Sequence, residues 1–303
     1  MSRSVLLLVN RSKPNVLDAL DEVRSILNKH SSIVAELDTE DDDPIEDAHG
    51  AGLIMVLGGD GTLLSQARRT VHLGLPVVGV NFGHLGFLAE YDLDSLRTQA
   101  DYLLDSDALE CRNRLMLSVS VYSSDDSDPR FSGVALNDCA ITAGPPFRMI
   151  EMHLSLDGVS GPRIKGDGVI VSTPTGSTAY SVSAGGPIIS PSVEAMAITP
   201  IAAHSLGFRP LVVAGKTQIV LDMLVANSSL DCADEAVEGT TLVLDGQVMH
   251  SIRTGDKLRF SRHERPLRLV RNPKRSYWST LMHKMLWAAQ PGQNGEISPE
   301  DSE

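Results

Sequence analysis

The sequence predicts an α/β N-terminal domain with a parallel sheet, followed by a β-rich, sandwich-like C-terminal domain. Residues 1 to about 110 alternate short apolar runs with helix-period stretches, and from Leu115 the texture changes to strand-like alternation with few helical patterns between. The first pattern indicates strands joined by crossover helices, the second antiparallel pairing. A length of 303 residues suffices for roughly two domains, each with its own core. The expected divisions are 1–112, 113–272, a helix over 273–290 that packs back on the first domain, and a disordered acidic tail over 291–303.

In chain order, Val5–Val9 is a short apolar run, Pro14–Lys29 has helical spacing, and Leu53–Leu57 is a strand of the buried type. Thr62–Leu73 is helix-like, Val77–Val80 is a further strand, and Asn81–Leu88 is a glycine-bearing loop behind it. In the second part Leu115–Tyr122, Met149–Leu156, Gln218–Leu224, Thr240–Leu244, Lys257–Phe260 and Leu267–Val270 read as strands. After Pro273, Tyr277–Ala289 returns to helical spacing with Tyr277, Leu281, Met285 and Leu286 on one face.

Composition narrows the function classes. No apolar run approaches the ~20 residues needed to cross a bilayer, and Val5–Val9 is too short for a secretory signal's core, so a cytoplasmic, membrane-free protein is expected. Cys111, Cys139 and Cys232 are odd in number and widely spaced, which suggests neither a disulfide framework nor a zinc knuckle. A net charge of −13 argues against nucleic-acid binding. The acidic residues from Glu40 to Asp47 and from Glu296 to Glu303 read as solvated segments. The arginines and lysines from Arg253 to Arg275 read as a charged outer face in preference to a polyphosphate or partner groove.

The chemistry centres on Gly58-Gly59-Asp60-Gly61-Thr62, which lies between a strand and a helix start. Glycines let a backbone approach a polyphosphate, and the helix adds its positive end to the same anion. Gly58, Gly59, Gly61 and Thr62 are therefore candidate phosphate ligands. A carboxylate beside phosphate is unhelpful for binding alone, so Asp60 points to accepting a proton from an attacking hydroxyl, and hence to phosphoryl transfer. The same composition also makes an ordinary tight turn. No stretch fits G-x-G-x-x-G, and Ala214-Gly215-Lys216-Thr217 fails as a P-loop because Pro210 occupies the first glycine position. Downstream, Gly166-Asp167-Gly168 leads through Val169–Val171 into a tract rich in hydroxyls and glycines, Ser172 to Pro187, suited to a polar ligand.

With that second tract in hand the sequence resembles the NAD kinases, which phosphorylate the 2′-hydroxyl on the adenosine ribose of NAD using ATP or, in some members, inorganic polyphosphate. The resemblance rests on ordered motifs: Gly58 to Thr62, Asn81 to Leu88, Leu136-Asn137-Asp138, Asp167 through Gly186, Thr199-Pro200 to Arg209-Pro210, Asp245-Gly246-Gln247, and the ending Tyr277 to Trp287. It implies a homodimer or homotetramer that binds NAD and ATP, with Asp60 as general base. Asp60 and Gly61 would lie against the dinucleotide, and Asn137 and Asp138 would hold a ribose and the nicotinamide end. Arg148, Lys165 and Asp167 would line the NAD site, in the same subunit or from a neighbouring one. Thr178, Ala179, Tyr180, Ser181, Val182 and Ser183 would run along the nucleotide, with Ala202 and Gln247 completing the pocket. Many relatives carry Glu at the position of Asp138 and a small polar residue at that of Phe82.

These residue types suit the reaction. A secondary ribose hydroxyl needs a base at neutral pH, and the departing phosphates need backbone amides and Mg²⁺ or another divalent metal. Asp138 and Asp167 suit a ligand rich in hydroxyls and amides, and both are also residue types of turns and caps. His84 and His204 lie inside motifs without an assigned chemistry. A lipid or sphingoid-base kinase shares the glycine loop but needs an apolar tunnel. A phosphofructokinase-type enzyme leaves Asn137-Asp138 and the later serine-rich tract unexplained. A non-catalytic NAD sensor would gain by losing Asp60.

Overall fold

The structure, a computed structural model, describes residues 3–41, 44–83, 86–106, 109–124, 126–205, 207–228 and 239–285. The expected acidic tail, Cys232, His84, Asp42, Asp43 and the expected helix beyond Met285 lie outside the described residues.

The first part runs β1 (Val5–Val9), α1 (Pro14–His30), β2 (Ile33–Asp38), β3 (Leu53–Gly58), α2 (Asp60–Thr70), β4 (Pro76–Asn81), α3 (Leu93–Leu104) and β5 (Cys111–Arg114). The second runs β6 (Leu117–Tyr122), β7 (Phe131–Ala135), β8 (Asp138–Thr142), β9 (Ile150–Leu156), β10 (Val159–Gly166), β11 (Gly168–Ser172), the single turn α4 (Tyr180–Ser183), β12 (Ala195–Ile201) and β13 (Leu211–Ala214). It continues with β14 (Ile219–Val225), β15 (Thr241–Leu244), β16 (Val248–Ser251), β17 (Lys257–Arg262), β18 (Leu267–Val270) and α5 (Tyr277–Met285). The described residues form two compact units. One contains the chain up to Gln66, Leu75–Arg112 and the residues from Leu269, and the other contains Ala67–Gly74 and Asn113–Arg268.

The first unit is built on a sheet ordered β2-β1-β3-β4-β18-β5, in which β1 pairs in parallel with β2 and β3, and β3 with β4. Every residue of β1, β3 and β4 is buried, as expected of parallel strands covered on both faces. Val16, Leu20, Val23 and Leu27 of α1 recur at helical spacing and join Leu96, Ala100 and Leu103 of α3 in the same core. A capping box opens α3, with Asp92 accepting from the Ser95 N–H and Ser95 returning a bond to the Asp92 N–H.

The second unit is a sandwich of two six-stranded sheets, β10-β9-β14-β17-β6-β7 and β13-β12-β11-β8-β15-β16. Alternate residues of both sheets meet in one core, among them Leu117, Val119 and Val121 from β6 and Val169 and Val171 from β11. β11 is buried along its whole length, so its outer face is covered too. Among the described residues no helix is long and apolar enough to cross a membrane.

Several expectations are corrected. The helix expected from Thr62 begins at Asp60, because the Gly59 carbonyl accepts the Leu63 N–H at 2.9 Å and closes the first turn over the Asp-Gly-Thr residues. It ends at Thr70, and Val71–Leu73 form a separate 3₁₀ turn closed by Gly74 at φ 65°. Leu267–Val270, read as part of the β-rich region, inserts between β4 and β5 instead, since alternation does not say which sheet a strand joins. The edge strands β2, β5, β7, β10, β13 and β16 carry little buried apolar periodicity and went unread, and so did the central, buried β8 and β12, whose short runs lie within glycine- and hydroxyl-bearing motifs. The basic residues near the C-terminus are spent singly, Arg262 on Glu194 at 2.9 Å, Arg271 on Glu110 at 2.7 Å and Arg275 on Asp92 at 2.7 Å.

Phe260, 1% exposed within the sandwich core, tests this packing. Phe260→Ala is expected to destabilise the fold by about 3–5 kcal/mol, read as a lower urea midpoint.

Candidate active site

In the first unit the glycine motif sits at the carboxyl end of β3, where open parallel sheets place their ligands. Gly59 ends at the mouth of α2, and the Lys13 Nζ lies 3.2 Å from where a Gly59 Cβ would stand. A side chain at Gly58 would collide with Thr62, which is itself buried and takes a hydrogen bond from Asn10 Nδ2 at 2.9 Å. The Thr62 hydroxyl is thus turned inward, so the amides of the first helical turn, with Lys13, form the exposed cationic end of this loop.

Asp60 is tied down more tightly than its position suggests. Its Oδ2 accepts the Phe87 N–H at 2.7 Å, and its Oδ1 accepts those of Leu88 at 3.2 Å and Ala89 at 3.0 Å. A Cβ on Gly86 would occupy the same space as this carboxylate, which explains a glycine there. The loop behind β4 and the glycine motif are therefore one structure.

In the second unit a cavity of about 270 Å³ opens along β8. Asp138, Ala140 and Thr142 form its floor, joined by Asn137, Ala179, Tyr180, Val243, Asp245 and Gly246. Asp138 is 4% exposed and accepts the Tyr180 N–H. Burial, and then the charge of Asp245, push its carboxyl up to about 7, with the Tyr180 N–H opposing. Asp245 is also raised, chiefly by burial, against the amides of Leu136 and Asn137 and the Arg68 guanidinium. Tyr180 is 45% exposed and presents its ring at the rim. Ser181 is fully buried and bonds Thr199 Oγ1 at 3.0 Å, so its hydroxyl serves the packing of the tract. Thr178, Ala179 and Val182 are half-buried and Ser183 is exposed.

A second group gathers at the other end of β8. Thr142 pairs with Gly168, next to Asp167, while Asp138 pairs with Ser172 four steps away. Lys165, Asp167 and Ala202 come together there through the bonds of Asp167 N to the Ile201 carbonyl at 3.0 Å and His204 N to the Lys165 carbonyl at 2.8 Å. All three are exposed. Arg148 is exposed, and its carbonyl takes Asn227 Nδ2 at 2.9 Å. None of these four lines the 270 Å³ cavity.

Comparison with known proteins identifies the pattern. Family models described as ATP-NAD kinase N-terminal domain and ATP-NAD kinase C-terminal domain match residues 6–108 and 136–272. The NAD kinase of Desulforamulus reducens is 36% identical over 288 residues, covering 92% of this chain and 96% of that one. The chain belongs to the NAD kinase family. The NAD kinase of Geotalea daltonii is 40% identical over 238 residues, covering 78% of this chain and 79% of its own length. Among solved structures, an NAD kinase from Archaeoglobus fulgidus in complex with ATP has a TM-score of 0.69 at 25% identity, covering 92% of this chain and 97% of that one. Yeast NADH kinase complexed with NADH has a TM-score of 0.80 at 23% identity, covering 97% and 89%, and supports the fold. As a member of the family the chain is an enzyme, a kinase that binds NAD and ATP.

Residue reading missed five residues that build these two regions, one in each unit. Asp245 and Gly246 were visible as part of a motif, and an Asp-Gly pair before a strand is a turn signal. Lys13 and Asn10 lie in a loop with no glycine signature, and Arg68 looks like any helix-surface arginine. The one His and carboxylate cluster spaced for a metal among the described residues, His30, Asp101 and Asp105, joins the C-terminal ends of α1 and α3, away from the carboxyl ends of the strands. Around the glycine motif Asp60 already serves three amides. Such a site fits a divalent ion carried in by nucleotide phosphates rather than a protein cage.

The raised Asp138 predicts a pH dependence. An unfolded Asp titrates near 4, so between roughly pH 4 and 7 the folded chain holds a proton that the unfolded one lacks. Stability from this group is therefore lost as pH rises through that window and is level above it. Asp138→Asn is expected to remove a slope of up to about 1.4 kcal/mol per pH unit, read by urea unfolding at pH 5, 6 and 7.

Proposed function

We propose that the chain transfers the γ-phosphate of ATP to the 2′-hydroxyl of the adenosine ribose of NAD, giving NADP and ADP. MgATP is the donor, with inorganic polyphosphate as the alternative, and Asp60 is the general base. The observation that carries this reading is the loop itself: a lysine ammonium and the open end of α2 beside Gly59, with one carboxylate at the first helical residue. The ATP complex of the Archaeoglobus fulgidus relative supports the nucleotide as donor.

The base atom is Asp60 Oδ2. An ionised carboxylate offers about four acceptor sites, and Oδ1 uses two on Leu88 and Ala89 while Oδ2 uses one on Phe87, so Oδ2 keeps room for a ribose hydroxyl. As the 2′-oxygen bonds to the γ-phosphorus its proton passes to Asp60, and the bond to the β-phosphate oxygen breaks with its electron pair on ADP. Lys13 and the backbone amides of Gly59, Gly61 and Thr62 neutralise the charge that gathers on the phosphates, a task mainly of positioning and electrostatics. Asn137 and Asp138 hold hydroxyl and amide groups of NAD, Tyr180 offers a stacking face, and Gln247 closes the pocket. Arg148, Lys165, Asp167 and Ala202 form a second contact region, supplied to a neighbouring copy in a homodimer or homotetramer.

The test is NADP⁺ formation from NAD⁺ with MgATP or polyphosphate. Wild type is expected to form NADP⁺. Asp60→Asn, whose carbonyl can keep the bonds to Leu88 and Ala89, is expected to lose about 10²–10⁴ in turnover, some 3–5 kcal/mol of barrier, with NAD⁺ binding by calorimetry retained. Lys13→Met is expected to raise KM for ATP and leave KM for NAD⁺ near the wild-type value. NAD⁺ binding without NADP⁺ formation under any donor would overturn the reading in favour of a sensor.

A further inference from the structure

Three successive backbone amides open the wall of the β8 cavity, those of Leu136, Asn137 and Asp138, and all three donate to one side chain. Asp245 Oδ2 accepts Leu136 N at 3.0 Å, and Oδ1 accepts Asn137 N at 2.7 Å and Asp138 N at 3.2 Å. Asp245 N returns a bond to the Asp138 carbonyl at 2.9 Å. The carbonyls of Leu136 and Asn137 are taken by Thr173, through Oγ1 at 2.6 Å and N at 2.8 Å. The segment that presents Asn137 and Asp138 thus takes its shape from one carboxylate and one threonine. Asp245 holds its place because it and Gly246, at φ 50° and 68°, are the central pair of the turn joining β15 to β16, closed by Gln247 N to the Leu244 carbonyl at 2.9 Å.

The Asp245 side chain is fully buried, and a buried carboxylate requires a countercharge. Arg68, in the last turn of α2, supplies it: Nη1 meets Asp245 Oδ2 at 3.0 Å, and the other fork, Nη2, donates to Gln247 Oε1 at 2.7 Å. One guanidinium therefore grips the carboxylate that shapes one wall of the cavity and a side chain expected to close it, a geometry that a lysine cannot reproduce.

We propose that Arg68 is a positioning residue for the dinucleotide, holding Asn137 and Asp138 in their binding geometry through Asp245 and orienting Gln247 directly. The assignment rests on the NAD-binding role given to Asn137, Asp138 and Gln247 above. It also has an electrostatic consequence. The charged and titratable groups facing Asp138 are Asp245, Arg68 behind it, Tyr180 across the cavity and the neighbouring Cys139 thiol. Neutralising Asp245 removes a negative neighbour of Asp138, and neutralising Arg68 leaves that negative charge unopposed.

The experiment is NAD⁺ binding by calorimetry from pH 5.5 to 8.5, beside KM and kcat, on wild type, Asp245→Asn, Arg68→Met and Arg68→Lys. Both charge-removing variants are expected to weaken NAD⁺ binding and raise its KM at least tenfold, with a smaller change in kcat. Arg68→Lys should recover part of the loss, because an ammonium can serve Asp245 or Gln247 but not both. The pH at which binding changes should move down in Asp245→Asn and up in Arg68→Met, an opposed pair of shifts that simple loss of packing does not produce. Unchanged binding in Arg68→Met and Arg68→Lys, or shifts of the same sign in the two charge variants, would overturn the proposal. Wild-type binding without turnover would sink the kinase reading alone, and the calorimetric comparison would still decide the role of Arg68.

Discussion

A carboxylate that gathers three consecutive backbone N–H groups is the interaction on which both halves of this enzyme depend, and it occurs twice. Asp60 collects Phe87, Leu88 and Ala89, and Asp245 collects Leu136, Asn137 and Asp138. In one case the amides lie in the loop behind β4, and in the other they lead into the first residue of β8. Backbone groups removed from water must find partners, and an ionised acceptor binds them more strongly than a neutral one. Each carboxylate is placed beside glycine for a steric reason. Gly86 leaves the volume that Asp60 fills, and Gly246 accepts a positive φ next to Asp245.

The two carboxylates differ in how their charge is balanced. Asp245 is sealed inside the second unit and has Arg68 as its counterion. Burial first, and then the charge of Asp245 beside it, drive Asp138 toward the neutral form. A neutral carboxyl offers a donor as well as an acceptor, which suits a ligand carrying both hydroxyl and amide groups. The Asp138 carboxyl is thus set against the backbone of Tyr180 and within the field of Asp245. In the first unit the balance runs the other way: Lys13 and the amino end of α2 lie by the glycines, beside the Asp60 carboxylate.

The basic stretch near the C-terminus is taken up by contacts within the fold. Arg262, Arg271 and Arg275 each meet a carboxylate, Arg265 and Arg268 donate to the carbonyls of His72 and Gly74, and Arg259 lies over the Tyr122 ring. These are structural contacts spread over several elements. The residues that face the cavity come from short sequence motifs instead.

Much of the architecture was legible in the sequence, and the reason is burial. β1, β3 and β4 are mostly apolar and buried at every residue, and β6, β9 and β14 alternate because one face meets the sandwich core. Edge strands such as β10 and β13 have no such constraint, and they left little periodic trace. The site divides in the same way. Glycine-rich turns, an Asn-Asp pair and an Asp-Gly-Gln turn are local chemistry, so sequence by itself determined the family, the fold class and the loop that carries Asp60. Tertiary structure alone decided that β18 enters the first sheet, that Thr62 turns inward to Asn10, that Lys13 stands against Gly59, and that Arg68 locks onto Asp245 across a separation of 177 residues. Such contacts join segments remote in the chain, and a buried charge finds its partner through the packing of whole elements, which no local pattern of residues records.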